Sequence, residues 1–246
     1  MSFPKENLIK LSSVDTCVCV SIDVVKSEDY PNKLIVEEKL TNIAGALNNK
    51  YKNDYLVVPF QVRRGDEIIG VLSSFREGFN TFRYIRKLAW KHEISLYFGL
   101  GFGTLDTGSI LDPNRINGSA VINAFRAVDR YLKDENNNKI FVYPQDNQHV
   151  KFFALGNKDI PYQAINALVY TIFTELNKSE KQRELIKLME LNPSMVYEEL
   201  GVKLGYNSKN AKVNVAKLIS RSDYYIYRQM QKDLLDLLDK LQKQLG

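Results

Sequence analysis

The alternation of apolar and polar positions predicts strands interleaved with amphipathic helices over the first two thirds of the chain, and helices alone after that. Cys17 to Val25 (CVCVSIDVV) is short, apolar and β-branched, the pattern of a fully buried strand. From Asn32 to Lys50 the spacing becomes helical, with Leu34, Ile35, Leu40, Ile43, Ala44 and Leu47 in a stripe beside charged positions. Tyr55 to Val62 and Glu67 to Leu72 read as two further strands, joined through Arg63-Arg64-Gly65-Asp66 as a hairpin with its tip at the glycine. Phe75 to His92 reads as a helix and Ile94 to Phe102 as the strand that follows it.

The order through residue 102 is therefore β-α-β-β-α-β, which predicts an α+β fold: an antiparallel sheet with its helices on one face. Gly103 to Asn117 reads as a loop, Gly118 to Lys133 as a helix, and Asp134 to Asn138 as a polar break. Short strands are expected within 139–160 and a helix over Tyr162 to Leu176. From Ser179, a plausible helix N-cap, the pattern is wholly helical, and Pro193 marks the break before the next helix. A boundary near Asn177 then divides an α+β domain, 1–177, from a helical domain, 178–246.

Within the helical domain, Val196 to Ile219 has Leu200, Leu204, Ala211, Val215 and Leu218 at inward spacings, and Gly201 leaves room for two helices to cross closely. Gly205 and Tyr206 form the turn, and Asn207 or Ser208 can cap the second helix, which together predict a helix-turn-helix. The outward positions of that second helix include Ser208, Lys209, Lys212, Asn214 and Lys217, groups suited to phosphates and base edges of DNA. The same geometry also serves a three-helix bundle used only for packing or dimerisation. The last helix, about Ser222 to Leu245, carries Tyr227, Met230, Leu234, Leu237 or Leu238, Leu241 and Leu245 at spacings of three and four. That seam suits either its own domain or a homodimer formed through the C-terminal helix.

Composition narrows this reading in four respects. With 246 residues and 44% hydrophobic content, the chain can bury one sizeable core and a smaller second unit. The net charge of +5 is compatible with nucleic acid or phosphate, although 29 acidic residues are mixed among 34 basic ones. Residues 1–11 hold Lys5, Glu6 and Lys10 and no apolar run, so neither a secretory signal nor a membrane span is expected, and a cytoplasmic location follows. Cys17 and Cys19 share one face of a strand, which favours buried thiols over a mutual disulfide.

Candidate chemistry lies in the α+β domain. Asp23 ends the first buried strand and Asp66 stands at the hairpin tip; a hairpin lying beside that strand brings the two carboxylates together. Two hard oxygen ligands suit Mg²⁺ with a bound triphosphate, while a turn residue and a cap are the structural alternative. Leu96 to Gly103 (LYFGLGFG) has glycine at 99, 101 and 103, so one face of that strand lacks side chains and a bulky group, backbone or ligand, must approach it. Thr104 stands where a dinucleotide fingerprint needs its third glycine, and no Gly-Lys-Ser/Thr follows, which sets aside Rossmann and P-loop enzymes.

The set Asp23-Val-Val-Lys-Ser27, Gly65-Asp66-Glu67, the glycine-alternating strand, Ala124 and Arg126 on a helix, and the helix-turn-helix resembles the SatD family of bacterial proteins over nearly the whole chain. The α+β part is in turn similar to the catalytic domain of class III nucleotide cyclases and, more distantly, to the GGDEF and polymerase palm folds. The resemblance implies a cyclase- or ferredoxin-like sheet, with Asp23 and Asp66 as metal ligands. Gly118, Val121, Ala124 and Arg126 match the cyclase helix motif, with Ile122 in place of its asparagine. It also implies that Ser27 and Arg126 bind nucleotide and that Arg126 would stabilise charge on the phosphates if the domain were catalytic.

The expected function is a regulatory protein in which a Mg-dependent nucleotide-binding domain is coupled to a DNA-binding helix-turn-helix. The alternatives are an active nucleotidyl cyclase or nucleotidyltransferase acting on a nucleoside triphosphate, and a degenerate cyclase-like fold kept for protein contacts.

Overall fold

The computed structural model of the chain describes residues 16–106, 116–133, 149–174 and 178–245. The expectations for the N-terminus, for most of the 103–117 loop, for the polar break and the strands before residue 149, and for the boundary near Asn177 lie outside these. By internal contact the chain falls into two units, 1–167 with 235–246, and 168–234.

The first unit is built on a five-stranded sheet in the order β2-β3-β1-β4-β5. Its strands are β1 (Thr16–Val24), β2 (Leu56–Arg63), β3 (Glu67–Leu72), β4 (Leu96–Thr104) and β5 (Val150–Leu155). Strand β1 runs antiparallel to both β3 and β4, and β2 antiparallel to β3, which gives the split β-α-β arrangement expected. Strand β5, however, runs parallel to β4, so the sheet is mixed and not purely antiparallel. Two adjacent parallel strands need a crossover between them. Here it includes α3 (Ser119–Arg126) and a π-helical stretch, Ala127–Lys133, where a single regular helix was expected.

The helices also differ from the expectation in covering both faces of the sheet. On one face lie α1 (Lys33–Tyr51) and α2 (Phe75–His92), above Val18, Leu100 and a run of phenylalanines: Phe75 meets Phe102, and Phe82 meets Phe98 and Phe152. Helix α1 buries Val36, Leu40, Ile43, Ala44, Leu47 and Tyr51 and leaves Leu34 and Ile35 exposed, so its stripe begins at Val36 and not at Leu34. On the opposite face α3 lies on β4. A Cβ added at Gly101 would collide with the Ala120 carbonyl oxygen and the Ala124 nitrogen, and one added at Gly99 with the Ala124 carbonyl oxygen. The bulky group that the glycines admit is therefore helix backbone.

Both outer strands are closed by an asparagine. Asn48 of α1 accepts from Phe60 N at 2.7 Å and donates to Phe60 O at 2.8 Å. Asn166 of α4 (Tyr162–Thr174) does the same for Ala154, at 2.7 and 2.8 Å. Each amide supplies the donor and acceptor that a further strand would otherwise provide.

The second unit contains α5 (Glu180–Leu191), α6 (Tyr197–Lys203), α7 (Ser208–Arg221) and the first part of α8 (Tyr224–Leu245). Ser179 caps α5 in a reciprocal capping box with Gln182. Gly201 of α6 meets Ala211 of α7 so closely that a Cβ would clash, and Leu200, Leu204, Ala211 and Val215 are buried as expected. The last inward position is Ile219 and not Leu218, which is only half-buried. Residues 235–245 of α8 belong to the first unit: Arg76 pairs with Asp236 and Asp239, and Gln242 accepts from Phe75 N and donates to Ser73 O.

Candidate functional site

On the α3 side of the sheet, period-2 alternation carries Cys17, Cys19, Ser21 and Asp23 of β1 to one face. Both cysteines are free and fully buried among Val57, Val58, Ile69 and Val71, and burial pushes the Cys19 thiol well above its usual value. These thiols are structural.

At the end of β1 the same alternation exposes a cluster of charge. Asp23 stands directly opposite Glu67 in the antiparallel register, so the two carboxylates share a face. The ammonium of Lys133, the last residue of the π-helical stretch, lies 2.6 Å from Asp23 Oδ2, with Asp129 at 3.8 Å on its other side. Glu67 has Ser21 Oγ at 3.4 Å and Arg63 at 4.0 Å. Asp66 lies beside this group: its carbonyl accepts from Val24 N at 3.2 Å, and its carboxylate accepts from Ser27 Oγ at 2.8 Å. Arg64 and Gly65 at the hairpin tip both have positive φ, 53° and 87°, which suits glycine and turns the chain so that Asp66 faces back to β1.

The electrostatics follow from partial burial. Burial raises the Asp23 carboxyl; Lys133 lowers it through its hydrogen bond and charge, Asp66 and Asp129 raise it again, and the net direction is up. Glu67 is raised by burial and by Asp23, against the lowering charges of Arg63, Arg64 and Lys133. Burial pulls the Lys133 ammonium down, but its bond to Asp23 and the charges of Asp23, Asp129 and Glu67 more than offset this and leave it raised. The three groups thus form a partly buried set in which one lysine partners a carboxylate that two others destabilise.

Asp23, Asp66 and Ser27, singled out in the sequence, therefore come together, and Glu67 and Lys133 join them. Glu67 is legible as the register partner of Asp23 once the hairpin is placed. Lys133 is not legible, because it arrives through a helix whose register widens midway. The oxygen-rich donor set is of the type Mg²⁺ prefers, and the ammonium on Asp23 occupies one of those oxygens. Among the described residues, no group of three or more His, Cys, Asp and Glu side chains forms a metal-holding set.

Arg126 lies elsewhere, on a cleft of about 680 Å³. It is lined by Asn123, Arg126 and Arg130 on one side and by Gly156, Asn157, Lys158, Pro161 and Tyr162 on the other; Asp23, Ser27 and Asp66 are not among its lining residues. Asn123 is buried and donates to Phe102 O at 2.9 Å, a β4 carbonyl one residue past the last β4–β5 pair, while Ile122 points outward, 41% exposed.

On α7, Ser208, Lys209, Lys212 and Lys217 are exposed and Asn214 is half-buried. Asn207 caps the helix by accepting from Lys209 N. Among the described residues no helix is long and apolar enough to cross a membrane. Comparison with protein-family models, with curated proteins and with solved structures finds no match for this chain.

Proposed function

We propose that this chain is a regulatory protein that binds DNA through a helix-turn-helix made by α6 and α7, under the control of a nucleotide bound by a cyclase-like first unit. The observation that supports it best is the charge of α7: Lys209, Lys212, Lys217 and Arg221 with no carboxylate in fourteen residues, in a chain whose charges are otherwise mixed. Phosphate attraction needs such a one-signed helix, and Ser208 and Asn214 beside the lysines offer hydrogen bonds to base edges. The acidic pair Glu198 and Glu199 sits in the first turn of α6, where it favours that helix's own dipole.

In the first unit, the split β-α-β order and the meeting of Asp23 with Asp66 support the cyclase-like reading. Mg²⁺ would be held by Asp23 and Asp66. On that reading metal binding is a competition with Lys133 for Asp23 Oδ2. Ser27 orients Asp66 through its hydroxyl. A ligand that binds one state of the protein more tightly than another shifts the population toward it, and this is how nucleotide would alter DNA affinity.

The test is fluorescence-anisotropy titration of duplex DNA against the full chain over a series of salt concentrations. Lys209→Glu with Lys212→Glu should weaken binding and flatten the slope of log affinity against log salt by about two, one per lost phosphate contact. An unchanged slope removes α7 from the interface. A second reading, nucleotidyl transfer, draws on the meeting of Asp23 with Asp66, and it predicts product from a nucleoside triphosphate that Asp66→Ala abolishes.

A further inference from the structure

We infer that the nucleotide's phosphates sit in the Arg126–Arg130–Lys158 cleft, away from the Asp23 carboxylates; this rests on the nucleotide-binding reading and assigns its site. The cleft opens at the carboxyl end of β5, where the parallel pair β4–β5 ends and the chain turns through Gly156 and Asn157 into α4. Crevices at the carboxyl ends of parallel strands are where ligands meet converging loops and helix starts. At about 680 Å³ it falls within the range of small-molecule sites, roughly 300–1,000 Å³.

Its charge selects the ligand. Three cations, Arg126, Arg130 and Lys158, line it, and among the described residues no carboxylate does. The first is a guanidinium on the last turn of α3, the second stands four residues on in the π-helical stretch, and Lys158 faces them from the loop after β5. All three are exposed, and no ion pair to any of them occurs among the described residues. Pro161, Tyr162 and Gln163, at the start of α4, complete the wall. The dipole of this thirteen-residue helix, whose Tyr162 N–H is already held by Ile160 O at 2.7 Å, adds fixed positive potential beside the mobile cations. Planar guanidinium forks bind phosphate oxygens in pairs, which a single ammonium cannot do.

A ligand held only by charge would need no more than this. The cleft also presents Leu155, Ile160 and Tyr162, an apolar and aromatic wall, and the side-chain amides of Asn157 and Gln163, which both donate and accept. A flat heterocycle with polar edges uses all of these at once. The combination of polyphosphate-binding cations, apolar wall and amide pair describes a nucleoside polyphosphate.

The experiment is calorimetric titration of the full chain with ATP, GTP and inorganic pyrophosphate, with EDTA and then with Mg²⁺, for the wild type and for Arg130→Gln with Lys158→Gln. Both substituted side chains are exposed, and thermal melting checks that the variant stays folded. The expected result is metal-independent nucleotide binding that falls about tenfold or more in the variant, two charge-assisted contacts being lost. Nucleotide affinity equal in variant and wild type overturns the assignment and leaves nucleotide binding intact at another place. No nucleotide binding by the wild type, with or without Mg²⁺, overturns both. Pyrophosphate bound as tightly as either nucleotide overturns the nucleoside part of the assignment.

Discussion

Asp23 and Glu67 stand opposite one another on neighbouring antiparallel strands with both carboxyls on the α3 side, and only Asp23 has a lysine on it. Like charges directly across a ladder destabilise it, so this pair persists because Lys133, Arg63 and Ser21 surround it.

The first prediction concerns pH. Burial raises the Glu67 carboxyl above its ordinary range, so the unfolded chain gives up this proton first. As pH climbs from about 4.3 through the raised native value, the native state holds the extra proton and stability falls across that window. Glu67→Gln removes this share of the loss. Denaturant melts between pH 4 and 7 should show a shallower decline for the variant than for the wild type, and parallel declines would sink the argument.

Lys133 gives the opposite kind of test. In Lys133→Met, burial and the charges of Asp66 and Asp129 act on Asp23 without their counterweight, and its carboxyl should titrate at higher pH than in the wild type. Carbon-detected NMR of the side-chain carboxyl reads this directly. On the proposed metal reading, Mg²⁺ affinity should tighten in the same variant, since the competing ammonium is gone. A wild-type-like titration of Asp23 would mean that the ion pair does not form in solution.

Two glycines should respond in opposite directions. At Gly101 a methyl group would press on backbone atoms of Ala120 and Ala124, which cannot rotate away, so Gly101→Ala should cost about 3 kcal/mol or more. Gly45 lies exposed within α1 with nothing near its missing Cβ, and Gly45→Ala should stabilise by about 0.5–1 kcal/mol. Chemical denaturation of the two variants measures both, and equal effects would show that α3 can lift from the sheet.

The sequence carried β1 as a short, apolar, β-branched run buried along its length, and α2 by its spacing of three to four, with the expected bounds Phe75 and His92. It also carried the close approach at Gly99, Gly101 and Gly103, though not whether ligand or backbone would fill it. It missed the parallel direction of β5, since strand direction leaves no mark on a six-residue apolar run. It placed the end of the helical seam at Leu218 when Ile219 is buried, a one-residue ambiguity that two adjacent apolar side chains always create. Of the candidate site, Asp23, Asp66 and Ser27 were legible as a group. Arg126 entered only through the resemblance to cyclases, and its separation from that group depends on which flank of α3 it occupies, which two local helical turns do not reveal.

The end of α8 offers a fourth prediction. Gln242 satisfies Phe75 N and Ser73 O, the backbone groups at the junction of β3 and α2. Gln242→Ala leaves them without these partners and should cost about 1–3 kcal/mol. Hydrogen exchange should quicken at Phe75 and its neighbours in the variant. Exchange unchanged there would mean that solvent already reaches the junction.

Asn48 and Asn166 set a limit on how this protein can assemble. A strand from a second chain, or from an unfolded copy, arriving at either edge would find Phe60 and Ala154 already holding an amide on both of their backbone groups. It would have to displace two hydrogen bonds to gain two there, so among the described strands growth into a fibre by edge pairing is opposed at Phe60 and at Ala154 by a single side chain each.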